Sequence, residues 1–399
     1  MKRIIIIGGG PAGLMAATQL LKSDCEILLL DQKASVGRKF LVAGDGGFNL
    51  THSETPSEFR DKYDSEWIKK AIRQFSNKDW IKFLKQIGIE TKVGSSGKIF
   101  PADEIKPIQV LNAWKEFLAP KVQFMLNTRF VNFDENQVEV DISTSLNTPG
   151  KTEKLDFDYL VLALGGKSWS VTGSDGAWFP ILAQKGIALN EFLPSNSGLV
   201  LYENWLGDLE GKILKNIQTS CGNQSCTGDL TITQYGVEGK PAYAINGALR
   251  KMEKPVFKVD FKPQMTSDKV FEILKKAKNP SQGLKELKLG EVAIFWIKTF
   301  VSKERFLNPK ELTKAIKEFP IGIKGFRPID EVISTAGGVA DSEISEFGEL
   351  NQFPNVFVAG EMIDWDAPTG GYLIQGSVSS GYVAGKAISR AFDSAQSPE

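Results

Sequence analysis

Gly8, Gly10 and Gly13, spaced G-x-G-x-x-G, are the residues of this 399-residue chain best suited to holding a phosphate. In such a turn the first glycine permits a tight bend and the second lets backbone approach a pyrophosphate. The third lets a helix pack closely on a strand. The helix N-terminus that follows offers amide donors and about half a positive charge. Glycine-rich turns are common, so the motif gains weight only from its surroundings. Residues 4–7 are four isoleucines, suited to a parallel strand buried on both faces, and residues 14–21 read as a helix. A second strand over 26–30 ends in Asp31, 23 residues after Gly8, where a carboxylate accepts hydrogen bonds from an adenosine ribose. By itself the turn indicates a dinucleotide, NAD as readily as FAD.

Three further stretches suit the same chemistry. Residues 35–51 form a glycine-dense loop with two cations, Arg38 and Lys39, able to neutralise phosphate charge, or else a surface loop. Residues 158–166 read as a buried strand ending in Gly165 and Gly166, where backbone can pass close to a cofactor. Near the other end a short strand runs into Gly360 and Glu361, and a helix begins at Gly370 and Gly371. That helix N-terminus could stabilise negative charge on an electron-poor ring. Gly376, Gly381 and Gly385 along it suit close helix packing.

Composition narrows the alternatives. Lysine plus arginine and aspartate plus glutamate number 48 each. This balance argues against a dominant nucleic-acid surface while leaving room for a local patch. Three cysteines make no disulfide framework, which points to the cytoplasm. Cys221 and Cys226 have no second pair or histidine to complete a metal site and read as free thiols in a hairpin. Lys2 and Arg3 before the isoleucines imitate a signal peptide, but the apolar run is too short and meets three glycines. No segment reaches the apolar length of a membrane span. The single histidine, His52, leaves little room for histidine-based catalysis.

The elements that must position these residues follow from periodicity. Residues 58–87 look helical, with Trp67, Ile68, Ile72, Phe75, Trp80, Phe83 and Leu84 as a core stripe, and a further helix covers about 107–118. Segments 122–126, 129–133, 137–142 and 154–157 suggest a small meander. Strands are expected near 198–202, 213–220, 227–234 and 256–261, then lysine- and glutamate-rich helices over 266–318.

Taken together, GGGPAG, GRKFLVAGDGGFNLT, LALGGKSW, TGSDG, TQYGVEG, STAGGV and AGEMIDWDAPTGGY resemble the motifs of the BaiN-like NAD(P)/FAD-dependent oxidoreductases. They occur in the family's order along nearly the whole chain. The resemblance is nearest to a flavoprotein branch with E-G after T-x-Y-G and D-W-D-A-P-T-G-G-Y near the end. It implies an α/β fold: a discontinuous Rossmann-like FAD domain of the two-dinucleotide-binding-domain type, with an inserted β-barrel-like domain and a helical subdomain. The expected boundaries are 1–189 with 327–394, 190–265 with 319–326, and 266–318. By matching motifs, Gly8, Gly10, Pro11, Ala12 and Gly13 would face the pyrophosphate and Asp31 the adenosine ribose, with Gln32 also among the cofactor-binding residues. Arg38, Lys39, Asn49, Leu50 and Thr51 would line the cofactor, with Phe130 near adenine and Ala163, Gly165 and Gly166 beside it. Gly360 and Glu361 would approach the ribityl and phosphate region. Gly370, Gly371, Tyr372, Leu373 and Ile374 would present amides at the flavin O2 edge.

This chain departs from the family pattern twice. Many relatives have G-x-G-R-C-N where it has residues 44–49, Gly-Asp-Gly-Gly-Phe-Asn, and T-H-x-G-L-S-G where residues 233–239 read Thr-Gln-Tyr-Gly-Val-Glu-Gly. FAD binding survives these changes, but a relative's substrate does not carry over. Tyr235, Glu238 and Trp365 are the pocket candidates: a hydrogen-bond donor, an amine-binding group or base, and a wall for the ring. Structural roles fit each equally well. The expected activity is hydride transfer between a small organic substrate and the flavin, with NAD(P)H as a transient donor or oxygen as reoxidant. An RNA-modifying flavoprotein and a non-catalytic FAD-binding protein are the alternatives.

Overall fold

The isoleucines of Lys2–Ile7 form the centre of a five-stranded parallel sheet, ordered Val356–Val358, Tyr159–Leu162, Lys2–Ile7, Cys25–Leu30, Val122–Met125. Ile4 to Ile7 are at most 1% exposed because helices or loops cover both faces, which is why the run is uniformly apolar and does not alternate. The computed structural model describes residues 1–42, 47–102, 105–143 and 150–395.

The chain divides into two compact units, residues 1–193 with 334–399 and residues 194–333. In the first, the helix Pro11–Leu20 packs lengthwise on the C-terminal helix Tyr372–Ala395. Glycine is required at that contact: a Cβ on Gly381 would lie 2.1 Å from the Ala12 oxygen, and one on Gly385 2.4 Å from that of Ala16. The expected helical stretch 58–87 is three short helices, Pro56–Arg60, Glu66–Gln74 and Asn77–Gln86, each opened by a Thr or Ser side chain capping its first turn. The expected meander is corrected in one respect. Residues 122–125 join the parallel sheet beside Cys25–Leu30, and the antiparallel meander is Thr128–Phe133, Gln137–Ile142 and Lys151–Asp156.

The second unit contains a closed antiparallel barrel, Leu199–Leu201, Gly236–Glu238, Gln224–Ile232, Ile213–Cys221, Val256–Asp260 and Phe319–Phe326. The helices over 266–318, expected as a separate subdomain, share one apolar core with it through Leu274, Trp296, Phe319 and Ile321. This unit ends at Ile333, so residues 327–333 belong with the barrel and not with the dinucleotide fold. Cys221 and Cys226 lie on the two paired strands of one barrel hairpin, in no disulfide among the described residues. No helix of the described residues is long and apolar enough to cross a membrane.

Candidate functional site

The C-terminal ends of four parallel strands open onto one cleft in the first unit, through Gly8, Asp31, Ala163 and Gly360. Open α/β sheets bind ligands at this edge. The three fingerprint glycines differ sharply in what surrounds them. Gly8 has φ +103°, and a Cβ there would lie 2.1 Å from the Ala163 oxygen. A Cβ on Gly13 would lie 2.0 Å from the Gly8 oxygen, so this residue sits beneath the cleft and lets the helix touch the strand. A Cβ on Gly10 would meet nothing within 4 Å. Gly10 lines the cleft beside that open space. Pro11 and Ala12 line it as well.

Asp31 is held by amides: Gly9 N donates to Oδ2 at 2.9 Å and Lys33 N to Oδ1 at 2.8 Å. Burial pushes its pKa above the usual carboxylate value, opposed by these amides and by the Lys33 and Arg38 charges. Arg38 is exposed at the cleft and makes no ion pair among the described residues. Lys39 is committed instead: its Nζ donates to Glu361 Oε2 and Ser168 Oγ, both at 2.8 Å. Gln32 Nε2 donates to Gly173 O at 2.7 Å, tying the second strand to the TGSDG loop, residues 172–176. Phe130, 8% exposed, also reaches the cleft, as do Gly165, with φ +75°, and Glu361.

The remaining expected residues gather at the N-terminus of the C-terminal helix. Gly370 and Gly371 have φ +115° and +96°. A Cβ on Gly371 would lie 2.5 Å from Thr51 Cα. Thr51 Oγ1 donates to Gln375 Oε1 at 2.9 Å, and Thr51 and Leu50 are fully buried. Their side chains brace the helix, so only their backbone can face a ligand. Gln375 N to Gly371 O is the first bond inside the helix, leaving the amides of Tyr372, Leu373 and Ile374 without an intrahelical partner. The Tyr372 ring turns away into an aromatic cluster with Phe59 and Tyr63, its hydroxyl donating to Glu54 Oε2 at 2.7 Å. Asn49 Oδ1 is buried with no hydrogen-bond partner among the described residues. Residues 43–46 of the loop motif lie outside the described residues. Gly166 packs on Thr335, away from the cleft lining.

Trp365, expected to wall a substrate pocket, is instead a core residue at 3% exposure. Its Nε1 donates to Gly360 O at 2.9 Å and its ring packs on Tyr63, because an indole satisfies its one donor there while burying its area. Tyr235 and Glu238 lie half-buried in the second unit, the phenol donating to Glu238 Oε1. The Arg327 guanidinium stacks 4.0 Å above the Tyr235 ring. Burial and the Glu238 carboxylate push the Tyr235 pKa up, and burial with the same carboxylate takes Tyr243 to about 12. Sequence reasoning missed Gly37, Thr128, Arg129, Trp178 and Ser377 at the cleft. It also assigned no role to Thr172, Gly173, Ser174 and Asp175, although TGSDG was itself a visible signal.

A family model described as HI0933-like protein Rossmann domain matches residues 2–387. The chain is 27% identical to a 3-dehydro-bile acid delta(4,6)-reductase of Clostridium scindens, over 97% of this chain and 99% of the other. It is 26% identical to the ribosomal RNA dihydrouridine synthase of Haemophilus influenzae, over 97% and 98%. Among solved structures, a 3-ketosteroid-delta4-(5alpha)-dehydrogenase from Rhodococcus jostii RHA1 shares the fold at TM-score 0.51 and 12% identity, over 98% of this chain and 97% of that one. A flavocytochrome c3 fumarate reductase does so at TM-score 0.50 and 15% identity, over 98% and 78%.

Proposed function

The chain belongs to this HI0933-like family of FAD-dependent oxidoreductases, and from that premise we propose that it reduces a carbon–carbon double bond conjugated with a carbonyl group. One observation carries the reading. Two relatives matched at full length, a delta(4,6)-reductase of a 3-dehydro-bile acid and a dihydrouridine synthase, act on very different molecules. By their names, both saturate a ring double bond in conjugation with a carbonyl. When bound, FAD supplies the two-electron hydride chemistry that such a bond requires.

The chain's own residues supply binding and charge. Gly10 would leave room for the pyrophosphate, Asp31 would accept from the ribose, and Arg38 would balance phosphate charge. The amides of Tyr372, Leu373 and Ile374, which have no intrahelical partner, would stabilise negative charge on a flavin ring held at this helix N-terminus. Tyr235, its pKa raised, keeps its proton at neutral pH; its hydroxyl donates to Glu238 and becomes a donor to a carbonyl oxygen when substrate replaces the carboxylate as acceptor. NAD(P)H is the proposed source of electrons.

A second reading, in which the double bond belongs to a uracil base in RNA, is favoured by charge. The neutral total hides two unequal parts: residues 194–333 carry 22 Lys and Arg against 16 Asp and Glu, and the rest 26 against 32. The deciding experiment reduces the flavin anaerobically with NADH or NADPH and then adds cyclohexenone, a 3-oxo-Δ4 steroid or uridine-containing RNA. Reoxidation of the flavin by at least one supports the reading. Stable reduced flavin with all of them overturns it.

A further inference from the structure

We propose that the lysine-rich helical surface of residues 266–317 is a docking face for RNA, held through its phosphates. These residues carry 12 Lys and Arg against 6 Asp and Glu, the largest share of the positive excess in the second unit. The choice of RNA over other polyanions rests on the second reading above, while the surface itself is argued from its own geometry.

The helix Ser267–Lys276 packs between Pro280–Glu286 and Pro309–Lys317. Val270, Leu274, Leu284, Leu312 and Ile316 point into the core, which leaves the lysines outward. Lys269 and Lys276 stand seven residues apart on one helix face, about 10 Å along its axis. Lys310 and Lys314 share a face of the neighbouring helix. Three of the six acidic residues are already paired: Glu272 with Lys276 at 3.9 Å, Glu311 with Arg305 at 3.4 Å and Glu291 with Lys212 at 3.0 Å. Lys269, Lys275, Lys278, Lys285, Lys310 and Lys314 are exposed and carry no ion pair among the described residues.

An acidic protein would ask for apolar anchors beside the charges. Leu307 is the one large apolar side chain of this segment among the strongly exposed ones, so the face can bind only through point charges. That is the footprint of phosphate recognition, in which lysines displace counterions and affinity falls steeply with salt.

The test uses the flavin-loaded full chain and a labelled uridine-containing RNA hairpin, followed by fluorescence anisotropy at 50 and 200 mM salt, with K269E/K275E/K310E/K314E as the variant. The control reverses four exposed lysines of the first unit, K70E/K78E/K82E/K121E. Binding by the unaltered chain should weaken about tenfold or more across that salt range. The helical variant should bind about tenfold more weakly than the control at 50 mM. Its flavin spectrum and reduction by NAD(P)H should not change. Equal binding by the two variants, no RNA binding at 50 mM, or tighter binding to anionic lipid vesicles or polyglutamate would overturn the proposal. Reoxidation of the flavin by an enone without RNA binding would defeat this proposal and spare the reductase reading. RNA binding without reoxidation by any enone or RNA would do the reverse.

Discussion

Lys39 and Glu361, 322 positions apart in the chain, meet in an ion pair of 2.8 Å at the edge of the dinucleotide cleft. Their side chains are 25% and 13% exposed, and Ser168 Oγ accepts a second bond from the same ammonium. The pair ties the loop after the second strand to the strand end at Gly360, so the cleft is closed by both ends of the sequence.

Breaking one half of such a pair leaves the other charge half-buried and unmatched. Glu361→Gln or Lys39→Met should therefore cost about 1–3 kcal/mol, less than a fully buried pair because solvent still reaches both groups. The double variant Lys39→Met/Glu361→Leu should recover part of that loss. Chemical denaturation of the three variants checks this, and strictly additive losses would show that the two residues act independently.

Gly10 and Gly13 should fail in opposite ways. A side chain at Gly10 meets open space, so Gly10→Val should fold with a nearly unchanged Tm yet bind FAD at least about a hundredfold more weakly. Gly13→Ala drives a methyl against the Gly8 carbonyl and should lose about 3 kcal/mol of stability. Flavin occupancy and Tm measured together separate the two, and unchanged flavin occupancy in Gly10→Val would refute the pyrophosphate assignment.

FAD affinity should depend on pH through Asp31. Burial raises the carboxyl pKa in the free protein above 3.8, whereas a ribose hydroxyl donating to the carboxylate favours its ionised form. Binding therefore releases a proton, so affinity should climb as pH rises through the raised value and level off above it. Titrations of flavin fluorescence at successive pH values should show this slope in the natural chain and lose it in Asp31→Asn.

Tyr235→Phe should slow turnover about 10- to 100-fold while leaving flavin loading and spectrum intact. Glu238→Gln should show a smaller loss, since the carboxamide oxygen still accepts from the phenol and only the charge is removed. Normal kinetics in both would remove the pair from the reaction.

Trp365→Phe should act on stability and not on substrate recognition. It gives up the indole bond to Gly360 O and part of the aromatic packing, a loss of about 1–2 kcal/mol seen as a lower Tm. A raised KM at unchanged Tm would contradict the core placement.

Much of the site was legible because its signals are short-range. The turn at Gly8 to Gly13, Asp31 at a strand end, the Gly165 turn and the glycine pair before the last helix each express a local backbone demand. The strand over 122–125 was misplaced because its pairing with Cys25–Leu30 spans about 95 residues, and nothing in its own four residues names that partner. Trp365 was misassigned for a related reason: an indole beside two aspartates suits a pocket or a core equally until its partners are known.

The sequence by itself determined the fold class, the dinucleotide fingerprint and its strand–turn–helix frame, since these depend on side-chain size and periodicity over a dozen residues. Only the tertiary structure decided which glycine stays open and which is packed shut, and that Lys39 is spent on Glu361 while Arg38 makes no ion pair among the described residues. It also showed that a neutral total is the sum of an acidic and a basic unit. Composition averages over the whole chain, whereas electrostatics acts over about 10 Å, so the partition of charge appears only once the chain is folded.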